Sequence, residues 1–158
     1  MFKRQFVCAI LVLALSLPLF AQSEQYGMPI TADVAKKAAA AAVAEARKSN
    51  FTMAIAIVDP NGTLVYFEKM DHTQNGSATI AVDKARSAAL FKRPTKAFQD
   101  TLAAGGEGLR ILSLGEAIPV DGGLPIIVGG KIIGAIGASG GTSAQDGVVA
   151  KAGADAVK

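Results

Sequence analysis

The sequence predicts an α/β domain of the α+β kind, in which helices flank a central antiparallel sheet of about five strands. Three observations lead to this fold class. Two β-hairpins are marked by short apolar runs on either side of a turn, near 53–70 and 126–138. Alanine-rich segments with helical spacing precede, separate and follow them. Hairpins produce antiparallel neighbours, and amphipathic helices then bury their apolar faces against the sheet.

The first helix is predicted to run from the residue after Thr31 to about Lys48. The Thr31 hydroxyl provides an N-cap, and the segment that follows is dominated by alanine, the strongest helix former. The first hairpin follows directly. Residues 53–58 are too short for a helix and rich in β-branched side chains, 59–62 read Asp-Pro-Asn-Gly, and 63–70 return as the second strand.

A second helix is predicted from Ala78 to about Phe91, with Ser77 as its cap. The sequence Lys-Arg-Pro-Thr at 92–95 interrupts the helical pattern, because proline cannot continue a helix. We expect Thr95 to cap a shorter helix over 96–103.

The second half of the chain is rich in glycine, since 14 of the 17 glycines lie between Gly105 and Gly153. The second hairpin is predicted there, with strands at 126–128 and 131–138 around Gly129-Gly130. A further strand is expected near 110–114 or 117–120, and a last helix over 143–156 with Val148 on its buried side. The predicted order is therefore α-β-β-α-α-β-β-β-α.

The first 23 residues have the pattern of a secretory signal peptide. Lys3 and Arg4 precede an uncharged run from Phe6 to Phe20, and small residues follow at 21–23. The run is shorter than the ~20 residues that span a bilayer, so we expect cleavage and no stable membrane anchor. The sequence thus predicts a signal peptide over 1–23, a single domain over 24–158, and a periplasmic or secreted protein.

Removal of the signal changes the chemistry that remains possible. The net charge of +3 falls to +1, from 14 basic and 13 acidic residues, and Cys8, the only cysteine, is lost. This excludes disulfides, thiolate metal sites and cysteine nucleophiles from the mature chain. Nucleic-acid binding is also not expected, because it needs a dense basic surface.

Few residues remain as candidates for a site. His72 is the only histidine, so it could ligate a metal only together with other residue types, and Met70 could offer a thioether to haem iron. The amides of Gly140 and Gly141 could form an anion-binding nest before the last helix. A structural explanation is simpler for each of them: solvent exposure for His72, core packing for Met70, and a tight turn into the last helix for Gly140 and Gly141.

The strongest cluster is Lys92-Arg93-Pro94-Thr95. Two cations stand at a helix C-terminus, and the Thr95 hydroxyl lies at the start of the next helix, a combination that can receive a carboxylate. Stabilisation of the helix dipole and a simple turn would explain the same residues, so both readings stay open.

Longer motifs resemble the GlcG/HbpS family, also called the haem-degrading domain family. They are the hairpin from Ala54 to Asp71, Gly122-Gly123-Leu-Pro-Ile, and Gly134-Ala-Ile-Gly-Ala-Ser-Gly-Gly141, and the similarity extends from about Thr31 to Ala154. The resemblance implies a profilin-like sheet flanked by helices, a homo-oligomer, and haem or a related tetrapyrrole as the ligand. It also implies that Thr95 corresponds to a threonine associated with haem in a secreted member.

Two main functional hypotheses follow, besides a third in which the oligomer is an interaction module that presents a surface to a membrane sensor. The first is a secreted, homo-oligomeric haem-binding protein, with the cations of 92–96 at the propionates and apolar cover from four nearby side chains: Ile80, Phe91, Phe98 and Leu102. The second is an enzyme for a small carboxylate or aromatic metabolite, with Glu68, Asp71 or His72 as acid or base. Whether the protein is an enzyme is left open.

Overall fold

The computed structural model describes residues 24–158, which form four α-helices, one 3₁₀ helix and five strands. Along the chain these elements are β1 (Gln25–Tyr26), α1 (Ala32–Lys48), β2 (Ala54–Val58), β3 (Leu64–Lys69), α2 (Gly76–Leu90), α3 (Thr95–Ala103), the 3₁₀ helix (Gly106–Ser113), β4 (Gly123–Val128), β5 (Lys131–Ser139) and α4 (Ser143–Asp155). The predicted signal peptide, with Cys8, lies outside the described residues. No helix within 24–158 is both long enough and apolar enough to cross a membrane.

The sheet is built around β5. Strand β4 pairs with it antiparallel along one edge, while β2 and then β3 continue the antiparallel sheet from the other edge. The short β1 adds a parallel pairing at the start of β5. The predicted fold class, a sheet of about five strands flanked by helices, is therefore confirmed; four strands are antiparallel as expected, and only the two-residue β1 pairs in parallel.

The two faces of the sheet are covered by different helices. Alternate residues of β2 point to opposite faces, so Ile55 and Ile57 pack with α1 and α4, whereas Ala54 and Ala56 pack with α2. Helix α2 lies very close to the sheet, since a Cβ added at Gly137 would be 2.0 Å from the Ala81 carbonyl oxygen. Small residues on both sides make this close approach possible.

The first helix and both hairpins agree with the sequence prediction. Helix α1 begins after Thr31, whose hydroxyl accepts a hydrogen bond from the Val34 amide at 3.4 Å. Strands β2 and β3 join through the predicted turn, in which the Asp59 carboxylate accepts from the amides of Asn61 and Thr63. Strands β4 and β5 form the second hairpin.

The strand expected between residues 110 and 120 was a wrong prediction. Residues 106–113 form the 3₁₀ helix, which begins at Gly105 and Gly106 with φ of +67° and +54°, residues 114–120 contain no strand, and the fifth strand of the sheet is β1 instead. The leucines at 109 and 112 are spaced by three residues, which a 3₁₀ helix aligns on one side and a strand does not.

Three local predictions also need correction. Ser77 does not cap α2, because the helix already begins at Gly76 and Ser77 is buried within its first turn. Thr95 does not cap α3 either: Pro94 holds the N-cap position and Thr95 is the first helical residue. Val148 is 54% exposed rather than buried, and the buried side of α4 is formed by its neighbours Val149 and Ala150.

Candidate functional site

The turn between α2 and α3 carries two cations on aromatic rings. Helix α2 ends at Leu90, and Lys92 follows in a left-handed conformation with φ of +54°. The Lys92 ammonium lies 4.4 Å from the centroid of the Tyr26 ring, and the Arg93 guanidinium carbon lies 5.6 Å from that of Phe98. Both distances are within the range of cation–π attraction. The turn therefore holds its two positive charges in defined places at the surface.

Tyr26 connects this turn to the sheet. Its hydroxyl donates to the carbonyl oxygens of Ala89 at 2.9 Å and Leu90 at 3.1 Å, which satisfies acceptors at the C-terminus of α2. Partial burial raises the pKa of the Tyr26 phenol, which favours the protonated form that donates these bonds. The strand that the sequence prediction missed, β1, thus supplies the ring on which Lys92 rests.

Thr95 points into the protein. Its side chain is fully buried, and its hydroxyl accepts a hydrogen bond from the Gly123 amide at 2.9 Å while lying 3.5 Å from the Gly123 carbonyl oxygen. The hydroxyl therefore joins α3 to the first residue of β4. In this arrangement the Thr95 hydroxyl is engaged with the backbone, while the neighbouring Lys92 and Arg93 reach the surface.

A buried ion pair lies behind Thr95 and was not found from the sequence. The Lys84 ammonium is 2.7 Å from a carboxylate oxygen of Asp146, and the two side chains are only 1% and 4% exposed. Lys84 also donates to the Ala138 carbonyl oxygen at 3.2 Å, so it joins α2 to β5 and α4. A sequence signal existed: Lys84 lies among Ala81, Ala85 and Ala88 on the buried stripe of α2, where a lysine needs a partner.

The carboxylate of Asp146 also occupies the predicted anion nest. Its second oxygen accepts from the Gly141 amide at 2.9 Å. Burial raises the pKa of Asp146, while hydrogen bonds from Lys84 and from the amides of Gly141 and Gly140 oppose this rise. The anion that these glycine amides receive in this structure is a side chain of the protein itself.

The glycine pair 122–123 brings Thr95 and the ion pair into one cluster. A Cβ at Gly122, where φ is +119°, would lie 2.7 Å from the Ala138 carbonyl oxygen and 2.9 Å from the Lys84 ammonium. A Cβ at Gly123 would lie 2.6 Å from the Thr95 methyl carbon. We call Lys84, Thr95, Gly122, Gly123 and Asp146 the buried polar cluster. It holds α2, α3, α4 and the sheet together.

The remaining predicted site residues lie at the other end of α2. Met70 is partly buried against the core, and its amide donates to the Met53 carbonyl oxygen at 3.0 Å. His72 is exposed in the loop that precedes α2, with φ of +65°. Helix α2 has 15 residues, so this loop and the Lys92–Arg93 turn are separated by about 20 Å. The predicted residues therefore form two groups and not one site.

The acid–base candidates of the enzyme hypothesis belong to the second group. Glu68 accepts a hydrogen bond from the Tyr66 hydroxyl at 3.3 Å, and Asp71 and His72 follow in the exposed loop. Within residues 24–158, no three acidic or histidine side chains are grouped so that they could hold a metal ion. The structure thus does not bring these candidates together with the cations of the turn.

An apolar groove begins beside the turn at Pro94. Two adjoining cavities of about 310 and 330 Å³ share Pro94, Leu124 and Lys151 in their walls. Their other apolar walls come from β4 and α4: Pro125, Ile127, Val148 and Ala154. Lys96, Lys151 and Lys158 stand along the rim, each in an exposed ion pair with Asp100 or Asp155. The four apolar side chains expected to cover a ligand do not line these cavities: Ile80, Phe91, Phe98 and Leu102. Phe98 is buried, and Ile80 lies near the start of α2.

Comparison with protein families gives one match that spans most of the described chain. The family described as "Haem degrading protein HbpS-like" matches residues 30–155. A 15.0 kDa protein from the dhaT–dhaS intergenic region of Citrobacter freundii is 34% identical over 128 residues, which cover 80% of this chain and 90% of that protein. GlcG of Escherichia coli K12 is 38% identical over 100 residues, which cover 63% and 73% of the two chains.

Solved structures share the fold. PduOC in its complex with haem is 26% identical and superposes with a TM-score of 0.74, with 83% of this chain and 96% of that chain covered. HbpS is 27% identical with a TM-score of 0.76, with 85% and 94% covered. The agreement extends over nearly all of the described domain.

Proposed function

The chain belongs to the HbpS-like family, and from this premise we propose that it binds haem or a related tetrapyrrole as an extracytoplasmic homo-oligomer. The family membership predicted from the hairpin and glycine motifs is confirmed. The PduOC structure, solved with haem, supports the choice of ligand.

The observation that carries this proposal is the apolar groove next to the basic turn. A tetrapyrrole is a flat apolar ring with carboxylates at its edge, so it needs apolar walls together with nearby cations. The groove supplies the walls through Pro94, Leu124 and Ile127. Lys92 and Arg93 precede Pro94 directly in the chain and supply cations at one end.

Further cations border the groove and can be recruited by the ligand. Lys96 is bound to Asp100 at 2.7 and 2.8 Å, and Lys151 is paired with Asp155. Such exposed pairs contribute little to stability, typically below about 1 kcal/mol. A propionate can therefore replace a carboxylate partner at small cost.

The groove can be compared with the three parts of haem that need a contact, which are the ring, the propionates and the iron. The Thr95 hydroxyl is bound to Gly123, and Met70 and His72 lie at the opposite end of α2. The residues around the groove thus fit the ring and the propionates better than they fit the iron. We expect modest affinity that depends mainly on ring contact and charge.

Titration of the chain 24–158 with haemin tests the proposal. We expect a Soret shift at micromolar haemin, and weaker binding in Arg93→Ala and in Val148→Asp, which places a charge on the groove wall. Lys37→Ala, an exposed lysine of α1 outside the groove, is the matched control and should bind like the wild type. No Soret shift in the wild type would refute haem binding.

The same titration decides between the two groups of predicted residues. His72→Ala should leave the shift unchanged if haem occupies the groove, because His72 lies about 20 Å away along α2. Loss of the shift in His72→Ala, with normal binding in Arg93→Ala, would move the site to the loop before α2.

The extracytoplasmic part of the proposal is tested separately. The full-length protein, produced in a bacterium, should be recovered from the periplasmic or secreted fraction with a mass that corresponds to loss of residues 1–23. Recovery of the full-length mass in the cytoplasm would refute this part and leave haem binding untouched.

A further inference from the structure

The 3₁₀ helix (Gly106–Ser113) is a surface element that contains no buried residue. Side chains three residues apart in a 3₁₀ helix lie above one another, so its side chains form three rows. These rows are Gly108 with Ile111, Leu109 with Leu112, and Glu107 with Arg110. Each row has a distinct character.

The first row faces the protein. A Cβ at Gly108 would lie 2.0 Å from the Thr101 carbonyl oxygen, so this helix touches α3 at a position that only glycine allows. Ile111 is partly buried on the same side. The orientation of the helix is therefore set by its contact with α3, and the other two rows face outward.

The second row consists of leucine alone and is strongly exposed. Leu109 is 55% exposed and Leu112 is 68% exposed. Single exposed apolar residues are common on protein surfaces, whereas adjoining ones on an ordered element form a contiguous apolar patch that a partner can cover.

The third row is charged but neutral overall. Glu107 and Arg110 form an ion pair, the Arg110 Nε donates to the Glu107 carbonyl oxygen at 3.2 Å, and the Ser113 hydroxyl donates to the Arg110 carbonyl oxygen at 2.7 Å. These groups satisfy one another, so covering the surface leaves no net charge without a partner.

A cavity of about 440 Å³ adjoins the same helix. Its lining combines apolar groups of the helix and α3 with the charged row: Thr101, Gly108, Ile111, Leu114, Glu107, Arg110 and Ser113. The segment thus carries a projecting apolar row and, beside it, an apolar recess. A surface that has both parts can fit against its own copy, because a two-fold axis brings each projection to the partner's recess.

We propose that the 3₁₀ helix is the self-association surface of this protein, where two copies meet about a two-fold axis with the helices antiparallel. This deepens the homo-oligomer part of the proposed function and does not depend on haem. The antiparallel arrangement places the acidic end of one charged row near the basic end of the other, so the charges attract across the axis.

A membrane surface fits the segment less well than a second copy. Anionic lipids attract clusters of lysine and arginine, whereas residues 105–120 contain one arginine and two glutamates. Lipid binding is therefore an outcome that would contradict the proposal.

Sedimentation velocity of the chain 24–158 tests the surface. Leu109→Ser/Leu112→Ser should weaken association by at least about a hundredfold, because four leucine side chains leave the interface of each dimer. Both leucines are exposed, so far-UV circular dichroism and the melting temperature should stay unchanged. Leu64→Ser, which replaces a 44% exposed leucine on β3, is the matched control and should associate like the wild type.

Charge exchange tests the antiparallel geometry. Glu107→Arg and Arg110→Glu should each weaken association by about tenfold, and the double exchange should restore it.

A wild-type monomer would refute both the homo-oligomer and this surface. An unchanged oligomer in the double leucine variant would refute the surface alone. A monomer that binds lipid vesicles through Leu109 and Leu112 would replace self-association by membrane contact.

Discussion

Two pairs of charged residues close to α2 differ in their exposure to solvent, since one pair is buried and the other lies at the surface. Lys84 and Asp146 form an ion pair with almost no exposure to solvent. Lys92 and Arg93, only eight and nine residues after Lys84, lie at the surface turn on the rings of Tyr26 and Phe98. The first pair joins three elements of the fold, whereas the second is free to meet a ligand.

Burial explains the difference. A buried charge loses its hydration, so the fold must provide a partner and removal of that partner is costly. An exposed charge keeps its hydration and contributes little to the free energy of folding. It can therefore attract an anionic ligand without loss of stability. The comparison predicts that substitutions in the buried polar cluster change stability, while substitutions in the turn change binding.

The largest effect is expected from Lys84→Met. It leaves the Asp146 carboxylate buried without its cation, and the free energy of unfolding should fall by about 3 to 5 kcal/mol in urea denaturation. Lys84→Met/Asp146→Asn should recover part of this loss, because a neutral amide can still accept from Gly141. A loss below about 1 kcal/mol in the single variant would contradict the structural role of the pair.

The next effect concerns the close approach at Gly122. In Gly122→Ala the added methyl group meets the Ala138 carbonyl oxygen and the Asp146 Cβ at 2.7 Å, at a φ that disfavours alanine, so we expect a loss of about 2 to 4 kcal/mol. Gly130→Ala is the matched control, since φ is +72° and no atom lies within 4 Å of the added Cβ. It should lose only about 1 to 2 kcal/mol. Equal losses would show that backbone conformation alone matters.

A smaller effect is expected at Thr95. Thr95→Val keeps the shape but leaves the buried Gly123 amide without its acceptor, which should lower the free energy of unfolding by about 1 to 3 kcal/mol. Thr95→Ser keeps the hydroxyl and should lose less than Thr95→Val in the same denaturation experiment. The reverse order would mean that the methyl group, and not the hydrogen bond, is what Thr95 contributes.

The smallest effect on stability is expected in the basic turn. Lys92→Gln and Arg93→Gln each remove one exposed cation–π contact, so the free energy of unfolding should change by less than about 1 kcal/mol. Haemin affinity should fall in the same variants. A large loss of stability with unchanged haemin affinity would reverse the roles assigned to the two regions.

Much of the fold followed from local sequence signals. The cap at Thr31, the Asp-Pro-Asn-Gly turn and the glycine pair at 129–130 act on their immediate neighbours, and the structure has helix and hairpins where they predict them. The prediction failed near residue 110, because leucines spaced by three residues suit a 3₁₀ helix and not a strand, and contact with α3 sets the position of that helix.

The candidate site was predictable only in part. Lys92 and Arg93 were found because two cations next to a proline are visible in the sequence. The groove was not, because its walls come from α3, β4 and α4, which are distant in the chain. His72, Met70 and the glycines of 140–141 were chosen for their chemistry, and chemistry alone does not tell how far apart residues lie.

The sequence by itself determined the family, the order of most elements and the presence of a basic turn, because these depend on short motifs whose physics is local. Only the tertiary structure decided which charges are buried. Lys84 and Asp146 are 62 residues apart, and they meet because small residues let α2 approach the sheet. Contacts of that kind depend on the packing of whole elements, and so they become visible only when the chain is folded.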